Sequence, residues 1–519
     1  MNNDRPNTGI SRRDAIALGG SGLLAASTGL RAANAQSAGP ASIVLDGVTI
    51  VDTHDGKLSP NMAIVIDQGK IAKIVRAGSI AAGGSARVID AHGMYVVPGY
   101  NDYHAHPLSS SDPEGFLTLL LAKGITGFRE MAGNPQLLAA RAAGKFAPTP
   151  YTPELLQMAS ETFTRVNAGT PEIAIAEIAK QKAAGADFIK MIEMGPDVFN
   201  ACIAECKRQG MYMIGHLAPA VNVRDAATAG LRSMEHMGPR DSLLLGCSSD
   251  EAALRQMMAQ QPPPVQAPIN GPVPLAVIRR ALANPTISTA PAEYVRYQRV
   301  VDTFSEARSR DLASHIAGSG MWMAPTLIRI RTMEIGDDAA YRNDPNLKYV
   351  PKQTVDMWES VSQDFDVKIP PAARDTLRQM YGLQQKYVKP LKAAGVKMIA
   401  GSDSGGGFVV PGFGLHYEFD LLEQAGLSPL DVLQMTTLNG AKFLDREATM
   451  GSVAEGKNAN LVLLSANPMA SVQNLHKITG VVRAGTYHSA EALDGMLKKT
   501  EQRVTSGVAY NGTPFRLCC

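Results

Sequence analysis

The sequence predicts an α/β chain: a TIM-like (β/α)8 barrel joined to a small β-sandwich built from both ends of the mature chain. Two observations carry this. Between about Tyr95 and Lys442, apolar runs of four to six residues alternate with helical stretches, a repeat sustained over about 350 residues. Short strand-like runs punctuated by turns occur before and after it. A third observation removes a competitor: no Gly-x-Gly-x-x-Gly follows a strand and opens a helix, so a dinucleotide-binding sheet lacks its fingerprint.

In chain order, residues 1–35 read as an export signal. Ser11-Arg12-Arg13-Asp14 precedes a Gly/Ala-rich run, and Ala33-Asn34-Ala35 supplies a small-x-small cleavage pattern. The paired arginines resemble a twin-arginine signal, with Ala15 where that motif usually carries Phe, and this implies a folded protein delivered to the periplasm. The run is too short and too rich in Gly to cross a membrane. No other stretch approaches that length, so no membrane span is expected.

Removal of 1–35 takes four arginines and two aspartates, so the 50 basic and 48 acidic residues of the chain become 46 of each. An extended nucleic-acid surface needs a basic excess, and none is present. A hydrophobic share of 45% excludes disorder as the main state, and 5 Cys in 519 residues exclude a disulfide-dense scaffold.

Residues 36–94 and 446–490 are expected to form the composite sandwich. Apolar runs at 43–45, 48–51, 63–66 and 70–75 are separated by Gly47, Asp55-Gly56 and Gln68-Gly69, and the same texture returns at 460–464 and 480–487. Residues 95–445 form the expected barrel. Its strands include 125–129, 188–191, 211–215 and 396–401, and Ala184-Gly185 and Ala394-Gly395 read as helix ends leading into strands. An insert is expected around 238–395, with a Pro-rich surface excursion at 260–274. It reads either as a lid over the barrel mouth or as an oligomer contact or decoration. Residues 491–519 are left as a C-terminal tail ending in Cys518-Cys519.

The chemistry gathers at strand ends. In His104-Ala105-His106 the two imidazoles are i and i+2 in a strand, so they project to one face about 7 Å apart and can share a cation. Three more strand-like runs end in Gly215-His216, Glu235-His236 and Ser402-Asp403. Four of the ten histidines and one aspartate thus fall at the carboxyl ends of predicted barrel strands, the rim where such folds place catalysis. Lys190 interrupts the apolar run Phe188-Ile189-Lys190-Met191-Ile192. Alone it reads as an edge lysine that reaches water. Beside metal ions, burial favours its neutral amine, which can add CO2 to give an anionic carbamate bridging two cations.

The stretch Val97-Pro98-Gly99-Tyr100-Asn101-Asp102-Tyr103-His104-Ala105-His106 resembles the first-strand motif of the amidohydrolase superfamily. Gly124-Ile125-Thr126-Gly127-Phe128-Arg129-Glu130 is similar to its second-strand segment, and Ala186-Asp187-Phe188-Ile189-Lys190 to its carboxylated-lysine strand. Ser233-Met234-Glu235-His236, Ala324-Pro325-Thr326-Leu327 and Ala400-Gly401-Ser402-Asp403-Ser404-Gly405 resemble the sixth, seventh and eighth strands. Thr436-Thr437-Leu438-Asn439-Gly440-Ala441 and the segment from Gly451 to Val462 look like the helix and return strand that close the family's composite domain. The resemblance spans about Ser42 to Tyr487 and is nearest the imidazolonepropionase-like and Xaa-Pro dipeptidase-like metal-dependent hydrolases. Ser404-Gly405-Gly406-Gly407 and the Pro-rich excursion depart from that pattern.

The resemblance implies that His104, His106 and Asp403 bind one divalent ion, that His216 and His236 bind a second, and that carboxylated Lys190 bridges them, zinc being the expected metal. It implies hydrolysis of an amide C–N bond by a metal-bound hydroxide, in a small-molecule or short-peptide substrate, with Asp403 carrying the proton to the leaving nitrogen. It also implies a homo-oligomer. The alternatives are a mononuclear cyclic-amide hydrolase or deaminase, lactone or ester hydrolysis at the same dinuclear site, and a non-catalytic binding protein. A serine hydrolase would need a Gly-x-Ser-x-Gly elbow, which the chain lacks. Substrate-binding residues are not legible. Arg165, Arg329 and Arg331 are the candidate cations for a free carboxylate, and His416 is a candidate substrate contact. Cys202 and Cys206, four apart, read as one core and one surface position of a helix.

Overall fold

The computed structural model describes residues 42–79, 86–237, 240–260 and 275–507. The expected export signal, the Pro-rich stretch from 261 to 274 and the Cys518-Cys519 pair lie outside the described residues. Five strands open the chain: β1 (Ile43–Val51), β2 (Leu58–Asp67), β3 (Lys70–Arg76), β4 (Arg87–Asp90) and β5 (Tyr95–Pro98). One edge of β1 pairs antiparallel with β2. Its other edge is shared, Ile43–Asp46 running parallel to β4 and Thr49–Ile50 to β5. A register shift between Leu45 and Val48, where Gly47 takes φ 83°, bends β1 so that its two halves meet different neighbours.

Eight strands follow with helices between them: β6 (Tyr100–Ala105), β7 (Ile125–Glu130), β8 (Glu154–Met158), β9 (Ile189–Met191), β10 (Met213–Gly215), β11 (Ser233–Glu235), β12 (Trp322–Ala324) and β13 (Lys397–Met398). All their pairings are parallel, in one sheet of three (β6–β8) and one of five (β9–β13). Parallel bridges Phe163–Met191 and Ala105–Ser404 join the sheet edges at both seams. Phe163 N donates to Lys190 O at 2.8 Å, and Asp403 N to His104 O at 2.7 Å. The result is a curled parallel sheet of α/β class, with strands too short and too buried to alternate polar and apolar faces. As expected, Gly185 (φ 91°) and Gly395 (φ 86°) turn helix ends into strands.

The last strands, β14 (Leu461–Leu464), β15 (Ile478–Arg483) and β16 (Thr486–Ser489), return to β5, with which β14 pairs antiparallel. As expected, both chain ends contribute to one domain: an eight-stranded sheet ordered β16-β15-β14-β5-β1-β2-β3 with β4 on β1, whose ends meet where Ile71 N donates to Lys457 O and Ala459 N to Gly69 O. The run Leu-Val-Leu-Leu of β14 explains the junction. Leu461 and Leu463 pack with Leu45, Ile64 and Val482, while Val462 and Leu464 face the larger core. A strand buried on both faces loses its alternation.

Two long helical excursions flank β12. The first includes Leu275–Ala283, Pro291–Asp302 and Glu306–Ser319, and the second Leu327–Glu334, Lys352–Lys368 and Pro371–Ala393. They share an apolar cluster of their own, with Tyr297, Val300, Phe365, Leu377 and Met380 among its members. The expected C-terminal tail is helical over Ala490–Thr505, where Leu493 meets Leu121 and Arg503 Nε lies 2.9 Å from Asp112 Oδ1. Cys202 and Cys206 are both buried, so the expected surface position is a core one.

Glu418, on the helix Phe413–Gln424, is fully buried, and its Oε2 accepts from Ile328 N at 2.9 Å. Burial pushes its carboxyl from 4.5 up to about 8, with a smaller push from Asp102. The folded pKa is raised, so the stabilisation tied to the protonated form is complete below 4.5 and is lost as pH rises through about 8. Glu418→Gln, which keeps an acceptor and cannot ionise, should lose less stability than the parent across that window. Urea unfolding at a series of pH values reads this, and parallel curves for the two proteins would refute it.

Candidate functional site

The strand ends deliver their polar side chains to one place. His104 lies on β6 and His106 just beyond it, Lys190 lies on β9, His216 and His236 directly follow β10 and β11, and Asp403 follows β13. All six are more than nine-tenths buried. Ligand atoms of His104, His236 and Asp403 lie within 4.8 Å of one another. His106 Nε2 is 2.9 Å from Asp403 Oδ1, and Lys190 Nζ donates to His104 Nε2 at 3.2 Å. His216 stands outside the tight trio, its ring centroid 4.6 Å from that of His236.

A second layer fixes which imidazole nitrogen faces the cluster. His104 Nδ1 is 2.6 Å from Glu235 Oε2, and an ionised carboxylate only accepts, so Nδ1 carries the proton. Thr326 spends its hydroxyl proton on Pro325 O, so His236 Nδ1 donates to Thr326 Oγ1 at 2.6 Å. In both rings the lone pair is left on Nε2, pointing inward. Asp102 ties the two sides of the seam together, accepting from His104 N at 3.1 Å and Ser402 N at 3.0 Å. Glu130 accepts from Leu108 N at 2.7 Å and sets the loop that follows His106.

The ligands are held in the protonation states that bind a cation. Burial, followed by the nearby Lys190 charge, holds His104 and His216 well below the ordinary imidazole range; for His236 the causes are burial and then His104. Neutral imidazole is the ligating form. Burial alone would raise Asp403, but His236, His104 and His106 outweigh it and hold the carboxyl well below its usual range. The Nε2 atoms of His216 and His236 are buried with no hydrogen-bond partner among the described residues. Such orphans are costly without a ligand. Imidazole nitrogens with a carboxylate are a donor set suited to zinc or a similar divalent ion, so the residues fit a metal.

Strain marks the same place. His236 (φ 63°), Thr326 (φ 44°) and Asp403 (φ 53°) all occupy the left-handed region, at about 1–3 kcal/mol each for residues other than glycine. A rigid surround must hold them there.

Arg329, one of the expected carboxylate cations, is fully engaged. Its Nε is 3.1 Å from Asp403 Oδ2, Nη1 donates to Ala283 O at 2.9 Å and Nη2 to Leu282 O. Arg165 pairs with Glu193 at 3.4 Å on the rim, and Arg331 pairs with Asp338. His416 is not at the site: its Nε2 lies 2.9 Å from Lys123 O, and its ring packs on Tyr100 and Phe419. The cleft has two lobes, and Arg329 and Leu282 line both. One lobe adjoins His106 and is walled by Phe116, Leu119, Tyr349, Met357 and Trp358. The other adjoins His216, His236 and Asp403 and is walled by Arg240, Tyr297 and Glu334. Both excursions therefore contribute walls.

Sequence reasoning missed Glu235 and Thr326, which meet His104 and His236. The Glu-His pair at a strand end was the available signal for the first; nothing local marks the second.

The sequence model of the Amidohydrolase family matches residues 380–487. An adenine deaminase of Rubrobacter xylanophilus is 26% identical over 201 residues, 36% of this chain and 33% of that protein. An adenine deaminase of Paracoccus denitrificans is 31% identical over 88 residues, 17% of this chain and 15% of that protein. The chain thus spans a third or less of these curated relatives. Among solved structures, a bottromycin amidohydrolase superposes with TM-score 0.62 at 19% identity, covering 91% of this chain and 94% of that one. These likenesses establish a shared fold, consistent with a TIM-like barrel.

Glu235→Ala removes the acceptor that orients His104. Loss of such a partner typically weakens metal affinity about 10–100-fold. Zinc competition against a chromogenic chelator should show a drop of that order, and unchanged affinity would mean that Glu235 does not position the site.

Proposed function

We propose that this chain is a metal-dependent hydrolase of the amidohydrolase superfamily that cleaves an amide C–N bond in a small-molecule or short-peptide substrate, near the imidazolonepropionase-like and Xaa-Pro dipeptidase-like group. The observation that carries it is the convergence of His104, His106, Lys190, His216, His236 and Asp403 from five strand ends on one buried cluster. The family match at 380–487 and the fold shared with amide-cleaving proteins support the same reading. In this reading the curled sheet is a (β/α)8 barrel, the protein is exported to the periplasm by the twin-arginine route, and it works as a homo-oligomer.

His104, His106 and Asp403 would hold one divalent ion, His216 and His236 a second, and Lys190, carboxylated by CO2, would bridge them. Zinc suits this donor set. Such a pair supplies Lewis acidity toward water and the scissile carbonyl. The chain's own part is positioning and proton transfer. Asp403, held ionised by the surrounding imidazoles, accepts the proton of the attacking water and returns it to the leaving nitrogen, because an amine departs poorly as an anion. Arg329, bonded to Asp403 Oδ2, restricts the rotation of that carboxylate.

A second reading, a deaminase or cyclic-amide hydrolase with one metal ion, is favoured by the sequence similarity to adenine deaminases. A bridging Lys190 is what separates the two.

Metal analysis of zinc-loaded protein should give about two equivalents, and turnover should be found on a panel of N-acyl amino acids, Xaa-Pro dipeptides, aryl amides, lactones and adenine. Lys190→Ala should fall to about one equivalent, and Asp403→Asn should lose at least ~1,000-fold in kcat. Full activity of Lys190→Ala would end the dinuclear assignment, and adenine as the sole substrate would select the deaminase reading. A loaded protein inert on every member would overturn the hydrolase.

A further inference from the structure

We infer that the lobe beside His106 takes a flat aromatic ring bearing an acidic substituent, the ring against Phe116, Tyr349 and Trp358 and the acid at Arg279. The inference rests on the hydrolase reading above and adds a substrate class to it: amides with such a ring on one side of the scissile bond.

The walls of this lobe come from elements far apart in the chain. Phe116 and Leu119 lie on the helix Pro113–Ala122, Met357 and Trp358 on Lys352–Lys368, and Tyr349 shortly before that helix. Tyr349 stacks on Phe413, with centroids 5.6 Å apart and 11° between the planes, and Trp358 meets Phe408 at 5.7 Å. Neither Phe408 nor Phe413 lines the lobe, so each of these walls is braced by a ring outside it. Rings already fixed by their neighbours lose little freedom when a further ring packs on them, and aromatic pairs contribute beyond the area they bury. The thioether of Met357 adds a contact that also suits a ring.

The lobe carries charge as well. Asp112 and Arg279 both line it, and their situations differ. Asp112 is engaged: its Oδ1 lies 2.9 Å from Arg503 Nε and accepts from Gly115 N at 3.2 Å. Arg279, half-buried on the helix Leu275–Ala283, forms no ion pair and no side-chain hydrogen bond among the described residues. The adjacent Arg280 takes Asp364, and the stretch from 261 to 274 ahead of this helix contains no acidic residue. A guanidinium that opens on a cleft without a counter-charge suits an anion. A second observation is independent of Arg279. Ser110 Oγ, in the same lobe, is buried with no hydrogen-bond partner among the described residues. Such a hydroxyl calls for a polar atom of a ligand. An aromatic ring with an acidic substituent answers both kinds of wall at once, which a plain aliphatic chain or a neutral ring does not.

The test uses zinc-loaded protein and three ligands that are poor zinc ligands: naphthalene-2-sulfonate, the neutral methyl 2-naphthyl sulfone, and octane-1-sulfonate. Calorimetric titration of the parent should place the aromatic anion about 10-fold above the sulfone and about 10-fold above the aliphatic anion. Arg279→Met should bring sulfonate and sulfone within about 2-fold of each other, and Arg279→Lys should restore part of the preference. Trp358→Leu should bring the two sulfonates within about 2-fold of each other while the preference for anion over sulfone persists. Turnover is followed in parallel on N-methyl-6-sulfo-2-naphthamide, 6-acetamidonaphthalene-2-sulfonate and their unsulfonated counterparts. The parent should favour the sulfonated member of at least one pair about 10-fold in kcat/KM, and Arg279→Met should erase that preference. Equal binding of sulfonate and sulfone by the parent, or a preference unchanged in Arg279→Met, would overturn the anion at Arg279. Equal binding of the two sulfonates by the parent would overturn the aromatic lobe. Absence of all turnover would count against the hydrolase alone, since the titrations still decide what this lobe takes.

Discussion

The structure turns on one buried anion. Asp403 lies at the meeting point of His104, His106, His236 and Arg329, in a closed interior where an isolated carboxylate would be prohibitively costly. What makes it tolerable is geometry. The seam between β6 and the segment after β13 is held by the hydrogen bond from Asp403 N to His104 O and by Asp102, which reaches both His104 N and Ser402 N. That seam also forces Asp403 into a left-handed backbone, so strain and function share an address.

The excursions around β12 follow from the same anion. Arg329 can reach Asp403 and the carbonyls of Leu282 and Ala283 together only where chains approach closely. Gly406 permits this: a Cβ there would come within 2.7 Å of Arg329 Nε, and one at Gly407 within 2.6 Å of Ala283 O. The Ser404-Gly405-Gly406-Gly407 run, which departs from the family pattern, is thus explained by a guanidinium and a helix end that need the space. Through Arg329 the first excursion is fastened to Asp403, and the cleft is divided into two lobes at that point.

Much of this was legible in the sequence because each predicted ligand combines an apolar strand with a polar residue at its carboxyl end. His104, His216, His236 and Asp403 all carry that signature. The joining of the two chain ends was legible from the strand-like texture at both, but the strand order was not, since it depends on the bend in β1. One of Cys202 and Cys206 was misplaced because the helix Pro196–Arg208 buries positions 202, 203, 205 and 206 together, a wider stripe than one cysteine spacing can reveal. Thr326 acts through the third dimension, meeting a histidine 90 residues away.

The charges of the interior link the proposed modification to metal binding. As an ammonium, Lys190 joins Arg329 and Arg129 against the carboxylates of Asp403 and Glu235, an excess of positive charge. Arg129 is fully buried, with its guanidinium 4.8 Å from the Phe188 ring and 4.7 Å from that of Phe443, and with no hydrogen-bond partner for its nitrogens among the described residues. Asp102 and Glu130, both pushed up to about 7 chiefly by burial, count for less. Carboxylation turns Lys190 from a cation to an anion and reverses the sign of that excess. Divalent cations are unfavourable beside the ammonium and favourable beside the carbamate, and the carbamate in turn is unfavourable in this interior unless cations accompany it. Under the proposed function the two events would therefore occur together, and Lys190 would be the position where CO2 and metal ions act on one equilibrium.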